Sequence, residues 1–232
     1  MDGGIRWINL DAPESTKNIL HHRKGTYGIC ATDSHVYSIG GDGVLTKWDK
    51  KLGRALESIQ LSRQALRSLD YCSVRQELAI GSADCNIYLL DVDLRLKQTI
   101  QNAHNQTVFS VRYAPDAQYL ISGGRDAFLN VWQSVEYSSP KNYLPFELKS
   151  SQAAHIATIN DLVFHPNGHL LATASRDKTI KIWETQTWKL LKVINTVRNG
   201  GHLNSVNALL WTSQGLVSAS DDRSIILWSI EV

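Results

Sequence analysis

The sequence contains little cysteine, little excess charge and no long apolar run. Its three cysteines, Cys30, Cys72 and Cys85, are widely spaced and form no Cys-x-x-Cys pair, so neither a disulfide framework nor a zinc site is expected. The net charge is +2, which gives no reason to expect nucleic acid or a membrane as a partner. No apolar run approaches the roughly 20 residues of a membrane span. With no signal-peptide pattern at its start, we expect a cytoplasmic protein.

Tryptophan is abundant by contrast, and four of the seven tryptophans close a repeated segment. Residues 170–184, LLATASRDKTIKIWE, are typical of a β-hairpin with an Asp-containing turn. Similar segments occupy residues 36–49, 120–133 and 216–229, and a weaker copy occupies residues 78–91. The copies close at residues 48, 90, 132, 183 and 228. The distances along the sequence between successive closing residues match the length of propeller blades that have four strands each.

Four of the copies share the same polar and aromatic positions. A Trp closes each copy, an Asp lies six residues earlier, a Ser or Thr ten residues earlier, and a His 26 or 28 residues earlier. The four sets are His22, Ser38, Asp42 and Trp48; His104, Ser122, Asp126 and Trp132; His155, Thr173, Asp177 and Trp183; and His202, Ser218, Asp222 and Trp228. A catalytic triad occurs once in a cleft, whereas this set recurs, so we interpret it as structural. The dispersed histidines do not predict a metal site.

With these residues at these spacings, the sequence resembles the WD-repeat (WD-40 type) family of β-propellers over essentially its whole length. The resemblance implies an all-β fold of four-stranded blades, in which the four repeated residues form a hydrogen-bonded chain within each blade. The physical reason is that a buried indole, hydroxyl and imidazole must each find a partner, and that Asp fixes the tautomer of the imidazole.

The second copy departs from this pattern. Ser62, Ile80 and Leu90 replace the His, Ser and Trp, and only Asp84 is retained. We therefore expect this blade to be held by apolar packing alone and to be locally softer than the others.

The repeat predicts a single propeller domain over residues 1–232. Its blades are expected at about residues 1–20 (partial), 21–60, 61–102, 103–152, 153–200 and 201–232, the last without its outer strand. An alignment of residues 2–9 with residues 177–184 places Met1 inside a hairpin turn. Two strands, four full blades and three closing strands then follow, which favours a start-truncated seven-bladed ring. A complete six-bladed or open assembly is the alternative. Open blade edges predict possible self-association.

Two insertions interrupt the regular spacing of the repeats. The tip of the first, residues 134–142, is expected between the third and fourth strands of its blade. The second, residues 195–200, is expected as a Gly- and Asn-rich loop between a fourth strand and the next first strand, and it carries Arg198.

The resemblance also implies where partners bind, because residues three and five positions after each His point to the top rim in family members. Protein interfaces favour aromatic residues and Arg, and two arginines directly precede the turn Asp. The predicted partner-binding residues are Tyr27, Arg67, Phe109, Arg125, Asn160, Arg176 and Asn207. The alternative is that these are ordinary, solvated rim residues.

These observations predict a non-enzymatic scaffold that presents its rim and loops to protein or peptide partners, without a cofactor, a metal or catalytic residues. The alternative is an enzymatic or small-ligand-binding propeller that uses the central channel. That alternative requires a non-repeated cluster of titratable groups on a channel-lining strand, and the sequence shows none. A nucleic-acid scaffold would require a face far more basic than the net charge allows.

Overall fold

The computed structural model describes residues 3–136 and 143–230. Most of the predicted insertion tip at residues 134–142 therefore lies outside the described residues, and so does Met1, which was predicted to lie in a hairpin turn. The chain divides into two compact units, with the boundary between residues 103 and 104. Each unit is built from antiparallel sheets.

The first unit contains three sheets. They consist of β1 (Gly4–Trp7) and β2 (Lys17–Leu20); of β3 (Thr26–Ala31), β4 (His35–Gly40), β5 (Val44–Asp49) and β6 (Arg54–Gln60); and of β7 (Leu66–Cys72), β8 (Glu77–Ser82), β9 (Ile87–Asp91) and β10 (Leu96–Ile100). A single 3-10 turn, Pro13–Ser15, joins β1 to β2.

The second unit also contains three sheets. They consist of β11 (Val108–Tyr113), β12 (Tyr119–Gly124), β13 (Phe128–Ser134) and β14 (Phe146–Ala153); of β15 (Ile159–Phe164), β16 (Leu170–Ser175), β17 (Ile180–Glu184) and β18 (Leu190–Ile194); and of β19 (Val206–Thr212), β20 (Gly215–Ser220) and β21 (Ile225–Trp228). Over the described residues, the prediction of an all-β fold made of four-stranded antiparallel sheets is confirmed.

Alternation along the inner strands explains how the sheets of the second unit pack. On β16, Leu171 packs with Ile121 and Val131 of the preceding sheet, while Ala172 faces the following sheet. Successive side chains of a strand point to opposite faces, so one strand contributes to two cores. Because both faces are covered, β16 is almost entirely buried and its sequence is a nearly continuous run of small and apolar residues.

The first unit uses the same packing. Tyr37, Ile39 and Leu45 of the sheet β3–β6 form one core with Leu66 and Leu78 of the sheet β7–β10. The hydroxyl of Tyr37 donates a hydrogen bond to the backbone carbonyl of Val92 at 2.7 Å, which satisfies the polar end of a buried ring.

A β-bulge recurs near the start of every first strand from β3 onward in the described residues. On β3, Thr26 pairs with Gly40 and Gly28 with Ile39, so Tyr27 is the extra residue. The corresponding extra residues on β7, β11, β15 and β19 are Arg67, Phe109, Asn160 and Asn207. A bulge bends its strand and redirects the side chain of the extra residue. The five bulges therefore mark one equivalent position in five sheets.

The second insertion lies between β18 and β19 as predicted, and Thr196–Asn199 form one helical turn within it. The side chain of Asn195 accepts a hydrogen bond from the backbone N–H of Arg198 at 2.9 Å and caps the start of the turn. Gly200, in the left-handed conformation with φ of 64°, ends it. The Asn and Gly residues that predict a loop here serve as the N-cap and the C-cap of this helical turn.

Among residues 3–136 and 143–230, no helix has the length and apolar character that crossing a membrane requires.

Two glycines in the left-handed region provide a matched test of backbone packing. Gly43 has φ of 78°, and a Cβ there would lie 2.0 Å from the carbonyl oxygen of Ser62, whereas Gly200 has nothing within 4 Å. We expect Gly200→Ala to lower the free energy of unfolding by about 1–2 kcal/mol, through the left-handed backbone alone. Gly43→Ala adds an overpacking cost of roughly 1–3 kcal/mol. Urea unfolding measures both, and equal losses would contradict the close approach at Gly43.

Candidate functional site

A hydrogen-bonded chain of side chains lies inside the sheet β15–β18. His155 contacts Asp177 through Nδ1 at 2.9 Å and Thr173 Oγ1 through Nε2 at 2.7 Å, and the indole of Trp183 donates to the same Thr173 oxygen at 3.0 Å. A neutral imidazole that donates from Nδ1 to the carboxylate accepts at Nε2, so the Thr hydroxyl donates to it. One hydroxyl thus joins the second strand to the third strand and to the loop before the first strand.

The same chain recurs in three other sheets. The His Nδ1–Asp, His Nε2–Ser and Trp–Ser distances are 3.1, 2.9 and 2.9 Å for His22, Asp42, Ser38 and Trp48; 2.9, 2.8 and 2.9 Å for His104, Asp126, Ser122 and Trp132; and 3.0, 2.7 and 2.8 Å for His202, Asp222, Ser218 and Trp228. Each Asp also accepts the backbone N–H of the residue that follows the His. The loop before each first strand is thereby fixed to the turn between the second and third strands.

Burial and hydrogen bonding set the charge states of the hydrogen-bonded side chains in the sheet β15–β18. Burial lowers the pKa of His155, and the nearby Asp177 only partly offsets that effect, so the ring is neutral. Burial acts to raise the pKa of Asp177, but the hydrogen bonds from His155, Thr179 and the backbone N–H of Ile156 outweigh it and hold that pKa well below its ordinary value. The chain therefore consists of a carboxylate and a neutral imidazole, which suits a structural role.

The predicted rim residues lie at the strand ends beside these turns. In the five sheets from β3 onward, the backbone N–H of the residue before the turn Asp donates to the carbonyl of the residue three positions after the His position. Arg125 and Arg176 are two of these donors, bonded to Thr107 and Thr158 at 2.8 and 2.9 Å. Both arginine side chains are exposed. Neither forms an ion pair with another residue in the described part of the chain.

The structure brings two pairs of the predicted rim residues into contact. In the first unit, the guanidinium of Arg67 lies over the ring of Tyr27, 4.4 Å from its centroid. In the second unit, the amide of Asn160 donates to Ser205 Oγ at 2.9 Å and to Asn207 Oδ1 at 3.3 Å. The amide of Asn207 donates in turn to Asp221 Oδ1 at 2.6 Å. Phe109 is half-buried at the equivalent position of its own sheet.

Comparison with known proteins agrees with this geometry. The family model described as "WD domain, G-beta repeat" matches residues 95–133, 146–184 and 189–229, which together make up just over half of the chain. The chain belongs to the WD-repeat family.

Among its relatives, the Emericella nidulans protein named "Nuclear distribution protein nudF" is 31% identical over 66% of this chain and 36% of its own length. The Arabidopsis thaliana protein named "U3 snoRNP-associated protein-like EMB2271" is 24% identical over 97% of this chain and 48% of its own length. The Schizosaccharomyces pombe protein named "Protein hir1" is 29% identical over 54% of this chain and 16% of its own length. The chain thus spans less than half the length of the curated relatives it matches.

The blade formed by β7–β10 keeps a polar network, so the prediction that apolar packing alone holds it is wrong. The hydroxyl of Ser62 donates to Asp84 Oδ2 at 2.5 Å, and the phenol of Tyr88 donates to the same oxygen at 2.7 Å. Burial acts to raise the pKa of Asp84, but these hydrogen bonds prevail and lower it. A short hydroxyl replaces the missing imidazole, and the Tyr on the third strand supplies the second donor. The equivalent positions of the other copies carry Thr46, Asn130, Lys181 and Ile226, so the repeat pattern does not point to a Tyr there.

One non-repeated titratable pair lies on the first strands of the second unit, where none was expected. Arg112 on β11 donates to Asp161 Oδ1 on β15 at 3.1 Å. Asp161 Oδ2 accepts the backbone N–H of Leu209 on β19 at 3.0 Å. Burial raises the pKa of Asp161, while Arg112 opposes that shift. The carboxylate therefore joins the first strands of three neighbouring blades. The positions equivalent to Asp161 in the other blades carry Gly28, Ser68, Ser110 and Ala208. A lone acidic residue among small ones was the sequence signal that could have identified Asp161.

The network of the second blade can be tested by removing one donor. Ser62→Ala takes away a hydrogen bond from the partly buried Asp84 carboxylate, so we expect a loss of roughly 1–3 kcal/mol in the free energy of unfolding. Ser73→Ala, on an exposed turn of the same blade, is the control and should remain within about 0.5 kcal/mol. Denaturant melts measure both. Equal stabilities would restore the view that apolar packing alone holds this blade.

The lowered pKa of His155 predicts how stability depends on pH. Below the ordinary His value of 6.5, the unfolded chain binds a proton at residue 155 that the folded chain rejects, so stability falls as pH falls through that range. Asp177 contributes stability above its ordinary value of 3.8, and this is lost at still lower pH. The free energy of unfolding, measured with urea at a series of pH values from neutral to acidic, should fall less steeply with pH for His155→Asn than for the natural protein. Identical slopes would contradict the prediction.

Proposed function

We propose that this chain is a non-enzymatic interaction scaffold that binds protein partners through the rim at the bulged ends of its first strands. The observation that carries the proposal is the recurrence of one bulge in five blades. The bulges present Tyr27, Arg67, Phe109, Asn160 and Asn207 at equivalent strand ends. A rigid sheet that carries variable side chains at one edge is a suitable support for a binding surface.

The chemistry of the rim in the second unit favours an acidic partner. Arg125 and Arg176 occupy equivalent exposed positions in neighbouring blades, and no carboxylate of the described residues neutralises them. Arginine presents a planar set of donors that matches carboxylates in two-point contacts, and it is enriched where proteins bind. Asn160 is already bonded to the next blade, so in this proposal it positions Asn207, and the arginines bind.

The proposal of a non-enzymatic role rests on how the polar groups are used. In the four repeats that have the full set, the His is hydrogen-bonded to the Asp and to the Ser or Thr, which also accepts from the Trp, so these groups are occupied inside the blade. The titratable pair on the first strands is likewise occupied, because Asp161 accepts from Arg112 and from the backbone N–H groups of Leu162 and Leu209. A cytoplasmic location stays a prediction.

The rim can be tested by reversing its charge. We expect Arg125→Glu/Arg176→Glu to abolish co-purification of partners from a lysate of the source cells and to leave folding intact, because both side chains are solvated. Lys51→Glu/Arg54→Glu makes the same charge change at two exposed positions, one in the turn after β5 and one at the start of β6, and is the matched control. Mass spectrometry reports the protein partners, and circular dichroism reports folding.

Sequencing of co-purified RNA belongs in the same experiment, since one relative carries the name of a snoRNP-associated protein. If ribonuclease treatment removes the RNA and every co-purified protein with it, the direct partner is an RNA and the proposal of a protein partner is replaced. If the rim variant and the control variant recover the same partners in equal amounts, the rim is refuted as the binding surface.

A further inference from the structure

The strand ends opposite the rim in the second unit carry an elongated groove. One cleft of about 450 Å³ is bordered by Pro115, Tyr119, Phe164 and Trp188. A second cleft of about 560 Å³ is bordered by Leu170, Glu184 and Leu191. The two share Asn167, His169 and Gln186 and therefore adjoin each other. We call the two clefts together the turn-side groove, because the turns β11–β12, β15–β16 and β17–β18 form its walls.

Trp188 forms one wall of this groove at a structural cost. It lies five residues after Trp183, and the residue five positions after Trp48 is Gly53. Both adopt the left-handed backbone, with φ of 58° for Trp188 and 57° for Gly53. A bulky residue with positive φ is uncommon and costs backbone strain, and Leu94 in the turn β9–β10 is a second example with φ of 60°.

The indole of Trp188 supplies a second, independent observation. The residue is only 7% exposed, and no acceptor among the described residues lies within hydrogen-bonding distance of its Nε1. Its ring packs edge-on against Tyr119, with 5.7 Å between the centroids. Buried donors without partners are rare in native proteins. The nitrogen itself is shielded from solvent, so its unpaired state is a cost of placing the indole in this wall and is not a contact for an occupant.

The charges that line the groove have one sign. Asp116 and Glu184 are the charged residues that border the two clefts in the described part of the chain, and neither forms an ion pair there. The nearby ammonium of Lys149 is already held by Tyr119, at 2.9 Å from its hydroxyl and 4.7 Å from its ring centroid. A groove with aromatic walls and unneutralised carboxylates complements a cationic and partly apolar occupant.

We propose that the turn-side groove binds an extended segment of a protein partner that carries a lysine or arginine within a few residues of a prolyl or aliphatic side chain. The apolar side chain fills the cleft beside Trp188, and the basic side chain is held by Asp116 and Glu184. Each cleft alone has the size of a small-ligand pocket, roughly 300–1,000 Å³. Two adjoining clefts of this size favour an extended peptide, whose successive side chains can enter one cleft each. This site goes beyond the proposed rim and does not depend on it.

The test uses a display library of random short peptides against the full chain, followed by calorimetric titration of the enriched peptides. We expect the enriched sequences to combine a basic residue with a prolyl or aliphatic one. Asp116→Asn/Glu184→Gln should weaken their binding about tenfold or more. Asp33→Asn/Glu57→Gln removes two exposed carboxylates of the first unit and should leave the binding unchanged. Arg125→Glu/Arg176→Glu should also leave it unchanged, which separates this site from the rim.

Trp188→Gly restores the residue type found at position 53 and removes the aromatic wall. We expect a similar loss of peptide binding from this variant. Should it fail to fold, the two carboxylate substitutions still decide the outcome.

Four results would overturn the proposal, three of them from the peptide experiments. These three are a failure to enrich peptides with the stated composition, binding that survives the carboxylate substitutions, and equal affinity for arginine amide alone, which would assign the groove to a small cation. Concentration-dependent dimerisation of the chain that Asp116→Asn/Glu184→Gln abolishes, measured by sedimentation, would assign the groove to a second copy and would overturn it as well.

Discussion

The satisfaction of buried polar groups inside each blade is the constraint on which the rest of the structure depends. A Ser or Thr hydroxyl on the second strand lies between the indole of the third strand and the imidazole of the preceding loop, as Thr173 does between Trp183 and His155. Leaving one of these groups unpaired would be costly, because the hydroxyl and the imidazole are buried in all four blades. The Asp then holds both the imidazole and the next backbone N–H, as Asp177 does for residues 155 and 156.

This constraint has a consequence at the edge of the sheet. Because the loop before the first strand is tied to the turn between the second and third strands, the start of the first strand has a fixed position. The bulge at that start then directs one side chain per blade outward from the ladder, Tyr27 on β3 and Asn207 on β19 for example. The residues inside a blade are therefore nearly the same from blade to blade, while the residue at its edge varies. A binding scaffold requires this combination of a constant interior and a variable edge.

Departures from the repeat show what the constraint demands. In the blade β7–β10 the imidazole and indole are gone, yet Asp84 still receives two hydroxyl donors, from Ser62 and Tyr88. The requirement is that the carboxylate be satisfied, and the identity of the donor is secondary. Asp161 follows the same rule in a place where the other blades carry small residues, because it is largely buried and its oxygens accept hydrogen bonds from the first strands on either side.

The sequence by itself determined the fold class and the strand order, because both follow from local signals that recur at a fixed period. The Asp-containing turns, the alternation along strands such as β16 and the spacing of Trp183, Asp177 and Thr173 are all visible within a few tens of residues. Only the tertiary structure decided which side chains meet between strands that are far apart in sequence. The donors to Asp84, the link from Arg112 to Asp161 and the packing of Trp188 against Tyr119 depend on register and on the distance between sheets. No residue pattern encodes those quantities, since they result from how the sheets pack.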